Sequence, residues 1–397
     1  MTQARILTSP LQTHIEQAIT HSGGWMGFDD FMHAALYTPG LGYYASDLRK
    51  FGLMPGGQAG GSDFVTAPEM SPRFGQALAR QIAEAFEVTG TREVWEFGAG
   101  SGALAKQILL ALPQLESYTI VDVSGSLRAR QQERLAAFAG RVRWACALPD
   151  SMRGVAIGNE VLDAMPVKLL ARVDGIWHER GVIVAPTLVA LRTALPPEGA
   201  APPKGGLSAG PASPTDNPFM FADQITDLRP PFEVVGTHDY VTEIHPQAEG
   251  FVRTLADKLE AGAIFMIDYG FPEHEYYHPQ RSMGTVMCHR AHLVDADPLQ
   301  DVGSKDITAH VNFTGIAMAG QDAGLSVIGY TGQGRFLLNC GVLDSREGEA
   351  LPERAMVQKL INEHEMGELF KVIAFSAKNT EFLQPMGFVT GDRTHTL

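Results

Sequence analysis

The sequence predicts an α/β fold, a mostly parallel sheet with helices on both faces, and three observations carry that expectation. Strand-length apolar runs alternate with helix-prone segments between residues 93 and 158. The first run, Glu93-Val94-Trp95-Glu96-Phe97, breaks into glycines at alternate positions (Gly98, Gly100, Gly102) and then into a helix-prone stretch from Ala103 to Leu112. Strand, tight turn and helix in that order let a backbone approach a ligand closely, with the helix dipole aimed at it. Third, Ala263-Ile264-Phe265-Met266-Ile267-Asp268-Tyr269-Gly270 is nearly all apolar. A strand covered on both faces reads that way.

The elements follow in chain order. Residues 9–21 form a helix with Ser9 as cap and Pro10 in the first turn, and Leu11, Ile15, Ala18 and Ile19 give its apolar stripe. A second helix spans 28–37 and stops at Pro39-Gly40. A tight aromatic turn follows at 40–46, and residues 52–63 are glycine-rich and read as mobile. Ser71 and Pro72 start a helix to about Val88. Thr66 and Glu69 stand just before that start, near the expected position of the Gly98 turn.

Core strands are expected at 93–97, 117–123, 141–146, 154–158, 263–270, 325–330 and 370–375. Helices are expected at 103–112, 124–139, about 246–260 and 352–366. Residues 167–194 alternate apolar and polar about a hairpin centred on Asp174-Gly175. Residues 195–218 are Pro, Gly, Ala and Ser with almost nothing to bury, so they read as a flexible surface loop. An aromatic and histidine-rich insertion fills 271–313.

Composition bounds the function. The 397 residues are 45% hydrophobic and 19% charged, enough for a large core in one elaborated domain or two. A formal net charge of −14 disfavours nonspecific binding to nucleic acid or anionic membranes, which needs clustered Lys and Arg, and fits a basic partner. Cys146, Cys288 and Cys340 are too scattered for a metal pattern and fit a reducing compartment. No stretch approaches the ~20 apolar residues of a membrane span. Met1 to Pro10 shows neither a secretory nor a mitochondrial targeting pattern, so a cytoplasmic location is expected.

Two details sharpen the glycine turn. Glu96 stands two residues before Gly98, giving Glu-x-Gly-x-Gly-x-Gly rather than the Gly-x-Gly-x-x-Gly of dinucleotide sites. The second strand ends in Asp122, about 20 residues after Gly102, where an acid can accept both ribose hydroxyls. An acid ahead of the turn suits the cationic amino acid end of S-adenosylmethionine better than a pyrophosphate. This set resembles motifs I and II of the class I S-adenosylmethionine-dependent methyltransferases. NAD binding and a purely structural turn are the alternatives. The candidate cofactor residues are Thr66, Glu96, Gly98, Ala99, Gly100, Gly102, Asp122, Val123 and Asn159.

After the fourth strand comes Asn159-Glu160-Val161-Leu162-Asp163. In an open sheet it falls beside the glycine turn, and a helical turn would put Glu160 and Asp163 on one face. Methyl transfer asks the protein mainly to hold its reactants in line. An arginine acceptor, charged at neutral pH, needs carboxylates to orient it and take its proton. Glu160 and Asp163 are the candidate catalytic pair, with Glu69 as a third. Each could instead be a helix cap or a solvated ion pair. The histidines at 274, 278, 289, 292 and 310 have no accompanying Cys or Glu-x-x-His pattern. They read as pocket-lining or hydrogen-bonded residues, not metal ligands. His289, His292, His310, Tyr276 and Tyr277 are the candidate acceptor-binding residues, and no metal site is expected.

The inserts extend the resemblance. Gly40-Leu41-Gly42-Tyr43-Tyr44, Phe64-Val65-Thr66-Ala67-Pro68-Glu69, Asn159-Glu160-Val161-Leu162-Asp163-Ala164-Met165-Pro166, Ile267-Asp268-Tyr269-Gly270, His289-Arg290-Ala291-His292 and Asp306-Ile307-Thr308-Ala309-His310-Val311 make the sequence similar to the MidA family. Mitochondrial members of that family are complex I assembly-factor arginine methyltransferases. The resemblance implies a Rossmann-like class I methyltransferase core, seven strands in a mixed sheet with the last antiparallel. It also implies a helical N-terminal cap (1–90) and a substrate-side insertion (271–313). The core would comprise 91–166, 236–270 and 314–397, with 167–235 inserted as hairpin and loop. S-adenosylmethionine is the implied cofactor, and the implied partner is a protein presenting an arginine, a respiratory quinone-oxidoreductase subunit for the mitochondrial members. A homodimer is compatible with this reading. A non-catalytic cofactor-binding assembly protein and a small-molecule methyltransferase are the competing functions.

Overall fold

The computed structural model describes residues 9–45, 66–122, 125–186, 217–290, 293–344 and 351–397. Its centre is one mixed sheet of seven principal strands: β1 (Glu93–Phe97), β2 (Ser117–Val121), β3 (Val142–Ala145), β4 (Met152–Asn159), β5 (Leu259–Phe271), β6 (Ser326–Gly332) and β7 (Phe370–Ser376). They lie in the order β3-β2-β1-β4-β5-β7-β6. The first five are mutually parallel. β7 runs antiparallel to both β5 and β6. This is the seven-stranded arrangement that the resemblance implies. A two-residue strand, Val311–Asn312, extends the sheet along the end of β5.

The alternation of side chains explains why these runs pack as one layer. On β4 and β5, Val155, Ile157, Ala263, Phe265 and Ile267 join one core cluster, while Ala156, Ile264 and Met266 join the other. Successive residues of a strand point to opposite faces, so a run apolar at every position needs helices on both sides. One face is covered by helices Pro72–Thr89 and Ala103–Ala111, the other by Pro246–Lys258 and Phe313–Asp322. Each large apolar side chain buried this way contributes roughly 1.5–3 kcal/mol. Packing, more than helix propensity, therefore fixes the layers.

The helix ends follow their local chemistry. Ser9 and Gln12 form a reciprocal capping box on Pro10–His21. Ser71 accepts from the Arg73 amide at the start of Pro72–Thr89, which ends at Gly90 with φ 63°. Two expectations need amending. The helix expected at 124–139 is Gly125–Arg134 followed by a separate 3₁₀ turn, Ala136–Phe138. The region expected at 352–366 is two helices, Leu351–Ile361 and Met366–Leu369. Gln333–Asn339 forms a further helix and Phe219–Ile225 a further strand, neither expected from the sequence. Residues 52–63 and 195–216 lie outside the described residues.

A second sheet is antiparallel and joins Met26–Gly27, Lys168–Val173, Ile176–Val184, Phe219–Ile225 and Tyr240–Ile244. Its tight turn is Asp174-Gly175, both with positive φ, as a two-residue hairpin of matching twist requires. A small third sheet, Met287–Arg290, Leu293–Asp295 and Asp306–Thr308, sits in the insertion. The N-terminal helices pack on both small sheets: Phe28, Phe31 and Leu36 share a cluster with Leu169, Val182, Phe219, Cys288 and Ile307. That packing brings the end of the second helix over the carboxyl ends of β1 and β4. There the strand order reverses, and open sheets carry their ligands at such a crevice.

Candidate active site

A cavity of about 1160 Å³ opens at that reversal. Its floor is the turn after β1. Gly98, Gly100 and Gly102 all have positive φ, and Gly102 is the N-cap of the helix that follows. At Gly98 the need for glycine is double: φ is 62°, and a Cβ there would sit 2.9 Å from the Val161 side chain. Glu96, Gly98, Ala99, Gly100, Asp122, Asn159 and Thr66 all line the cavity. Gly102 does not; it supports the turn from below. Val123 lies outside the described residues.

Glu96 is 2% exposed, and the Tyr118 hydroxyl donates to its Oε2 at 2.8 Å. Burial pushes its pKa up to about 8, the charge of Asp122 adds to the rise, and the Tyr118 hydrogen bond opposes it. Such a carboxylate favours a cation beside it. The Asn159 Oδ1, also buried, has no hydrogen-bond partner. The cleft thus offers a buried acid and an unsatisfied carbonyl on one side, and Asp122 on the other.

A residue that no sequence motif marks ties this half together. The Gln131 side chain, fully buried, donates through Nε2 to the Gly100 carbonyl and to Asp122 Oδ2, both at 3.0 Å. It accepts from Trp144 Nε1 at 3.0 Å. In the sequence it is one polar residue among many on a helix, with no signal of its own.

Glu160 and Asp163 both line the cavity, but not as neighbours on a helical turn. Glu160 has φ 54°, and its amide donates to the Ile267 carbonyl at 2.9 Å. The chain then curls round Asp268, whose Oδ2 accepts the amides of Val161, Leu162 and Asp163 at 3.1, 2.9 and 3.2 Å. The Tyr269 amide donates to its Oδ1 at 2.9 Å. A buried carboxylate at the end of β5, and not helical hydrogen bonding, therefore shapes the acidic loop. Asn159 Nδ2 donates to Glu160 Oε1 at 3.0 Å, the Ala67 amide also donates to Glu160, and the Tyr269 hydroxyl donates to Asp163.

Burial raises Glu160 to about 8, with the charges of Asp163 and Asp306 adding to it. Burial raises Asp163 to about 6. Asp268 is pushed upward by burial and by the charges of Asp163 and Glu160, while backbone donors pull the other way. These carboxylates crowd one another at the back of the cavity.

Glu69, expected with them, does not line the cavity. Arg134 Nη1 donates to its Oε1 at 2.8 Å, and the Ser101 hydroxyl donates to the same oxygen. Its charge is already answered, and it braces the glycine turn from outside. Tyr276 and Tyr277 also miss the cavity. Both are buried beside Tyr240 and Val234. Their hydroxyls donate to Glu243, at Oε2 and the main-chain carbonyl respectively. A buried carboxylate needs such donors, and that claim overrides a place on the pocket wall.

His289 and His310 do line the cavity. His292 lies outside the described residues. His310 stacks on Phe271, centroids 5.3 Å apart and planes 11° apart, with Tyr269 edge-on at 5.0 Å. Burial, then the charge of Arg281, lowers it to about 4. His33, Tyr37 and Tyr44 of the N-terminal segment and Asp306 of the insertion, none of them a candidate site residue from the sequence, also reach the cavity. Tyr37 donates to the Ala164 carbonyl at 2.8 Å, and Tyr44 donates to Asp306 Oδ2 at 2.7 Å. The Gly40–Tyr44 and Asp306–His310 runs were the signal for Tyr44 and Asp306; His33 and Tyr37 lie outside both.

The sheet order, the glycine turn at the reversal and the acid ending β2 define a class I S-adenosylmethionine-dependent methyltransferase. The chain belongs to the family described as "Putative S-adenosyl-L-methionine-dependent methyltransferase", which matches residues 77–331. A crystal structure of a Burkholderia thailandensis protein bound to S-adenosyl-homocysteine is 44% identical, spans 98% of this chain and 99% of that one, and superposes with a TM-score of 0.83. A native crystal structure from the same organism is 43% identical over the same shares, with a TM-score of 0.80. Protein arginine methyltransferase NDUFAF7 of mitochondria is 26% identical in Danio rerio, over 88% of this chain and 83% of that protein. In Homo sapiens it is 26% identical over 92% and 83%.

The family's cofactor is S-adenosylmethionine, and the cleft suits it. The unsatisfied Asn159 carbonyl and buried Glu96 match a cationic amino acid group. Asp122 matches a ribose, and the turn at Gly98 leaves no room for a side chain. Among the described residues no helix is long and apolar enough to cross a membrane.

Proposed function

We propose that this methyltransferase modifies the guanidinium of an arginine presented by a protein. One observation carries the reading: the partly buried Glu160 and the buried Asp163 line one cavity, and each is held above its ordinary pKa. A guanidinium is permanently charged and planar, and it accepts two carboxylates at once. Its entry would offset the burial that raises both acids and the charge of Asp163 that adds to the rise of Glu160. The arginine methyltransferase names of relatives at 26% identity support the same substrate class.

In this reading Glu96, Asn159 and Asp122 hold the cofactor, which supplies an electrophilic methyl group. Glu160 and Asp163 grip the guanidinium and turn one Nη towards that methyl. Their pull concentrates electron density on the attacking nitrogen. One of them then takes the proton that this nitrogen sheds, a task suited to a carboxyl group whose pKa lies near neutrality. Tyr37, Tyr44 and His310 flank the side chain's path. The resemblance to the mitochondrial members points to a respiratory quinone-oxidoreductase subunit as the protein that bears the arginine.

The test uses purified enzyme, labelled S-adenosylmethionine and a lysate of cells lacking the protein, with labelled products mapped by mass spectrometry. Methylarginine in one protein supports the reading. Label confined to small molecules, or on lysine or a carboxylate, overturns it. The E160Q enzyme should bind S-adenosyl-homocysteine normally and lose at least about 100-fold in turnover, the scale of a lost catalytic base.

A further inference from the structure

We propose that Gln131 is a positioning residue of the cofactor cleft, one amide that fixes the Gly100 carbonyl and the Asp122 carboxylate relative to each other. The inference rests on the reading that Asp122 holds the cofactor's ribose. Gln131 touches no cavity space itself. It is fully buried, and its stem packs against Gly102, where an added Cβ would lie 3.5 Å from Gln131 Cγ.

The donor and acceptor pattern leaves one arrangement. The indole Nε1–H of Trp144 can only donate, so it must face Oε1 of the amide. That leaves Nε2 with two hydrogens. The Gly100 carbonyl and the Asp122 Oδ2 accept, and each takes one at 3.0 Å. All three side-chain bonds are made, and no other residue type makes them. Glutamate would set a second anion against Asp122 and an acceptor against the Gly100 carbonyl. Asparagine is one carbon short. Methionine fills the volume but makes none of the bonds.

Both atoms gripped by Nε2 belong to residues that line the cavity. Gly100 sits in the turn and Asp122 at the end of β2, so Gln131 sets the width between the two halves of the cleft. Trp144 sets Gln131 in turn. A buried glutamine that served stability alone would have no reason to bridge those two atoms, and its loss would leave ligand affinity unchanged.

The experiment measures S-adenosyl-homocysteine binding by calorimetry, with the unfolding temperature as a control. Q131M should raise Kd about tenfold or more, with Tm within a few degrees of wild type. Q131E should be weaker still. W144F leaves Gln131 in place and removes only the donor that orients it; Kd should rise about threefold to tenfold. In turnover the loss should fall on KM for the cofactor, with kcat at saturation close to wild type. In a D122A background Q131M should add little, because the two act through one contact. A Kd within twofold of wild type for both Q131M and W144F overturns the inference. So does a Q131M loss as large in D122A as in wild type. A wild-type Kd for D122A sinks the ribose reading and the inference with it. A weakened D122A beside an unaffected Q131M sinks the inference alone.

Discussion

Arg134 Nη1 meets Glu69 Oε1 at 2.8 Å, 65 residues apart in the chain. The contact links the short helix Ala67–Met70 to the end of the helix Gly125–Arg134, with Ser101 of the glycine turn bonded to both partners. It takes Glu69 out of the acceptor's reach and makes it a brace for the turn.

Glu69→Gln should therefore weaken the cofactor and spare the chemistry. Arg134 is about one-third exposed, so solvent discounts the ion pair to about 1 kcal/mol. The cofactor KM should rise roughly fivefold, with kcat at saturation little changed. Steady-state kinetics beside E160Q would check it; a collapse of kcat in E69Q would return Glu69 to the catalytic set.

The buried acids predict a pH dependence of stability. Glu160 moves from 4.5 in the unfolded chain to about 8 in the fold, and Asp163 from 3.8 to about 6. Across that window the folded protein holds protons that the unfolded chain has released, so stability falls as pH rises from about 4.5 to 8. Tm of the protein without ligand should drop between pH 6.5 and 9, above the range in which the lowered His245 and His310 oppose the trend, and the drop should be shallower for E160Q. Parallel curves would mean that Glu160 titrates as an ordinary acid.

A guanidinium selects the ionised carboxylates. For wild type the acceptor KM should accordingly fall as pH rises from about 6 to 8. Initial rates against a peptide acceptor at fixed ionic strength give this directly, and a flat profile would count against a guanidinium substrate.

Asp268→Asn should be among the more damaging single changes. It replaces an oxygen that accepts three amides with a group that cannot satisfy them all. A buried donor left without a partner costs about 1–3 kcal/mol, so a loss of roughly 2–4 kcal/mol of stability is expected. Turnover should fall with it, since the same amides place Glu160 and Asp163. Denaturant titration and single-turnover kinetics measure the two effects separately.

Gly98→Ala should abolish cofactor binding in a protein that still folds. The new methyl group enters at φ 62° and 2.9 Å from Val161. Calorimetry with S-adenosyl-homocysteine would show it, and wild-type affinity would mean that the turn is looser than its geometry implies.

The sequence made the sheet legible wherever local signals agreed. Glu93–Phe97 carried an apolar run, an acid and three spaced glycines, and its neighbours repeated the strand–helix rhythm. Two of the missed strands, Met287–Arg290 and Leu293–Asp295, are four and three residues long, too short for a period of two to show. The cofactor half of the cleft depended on residues close in sequence. The acceptor half did not. Whether Glu69 is free or paired depends on Arg134, and whether Tyr276 faces a cavity depends on Glu243, 33 residues earlier. No local pattern records which of two distant partners claims a side chain.

The position of β7 has a consequence for how the protein is made. It follows all six other principal strands in the chain, yet it lies between β5 and β6. As the polypeptide leaves the ribosome, β5 and β6 must wait with facing edges unpaired, and Phe370, the first residue of β7, is itself part of the cavity wall. The slot fills only when residues 370–376 emerge. A nascent chain that already carries the glycine turn and every acid discussed above is still unfinished as an enzyme. A ribosome stalled before that point would hold a sheet with two sticky edges, a natural target for a chaperone.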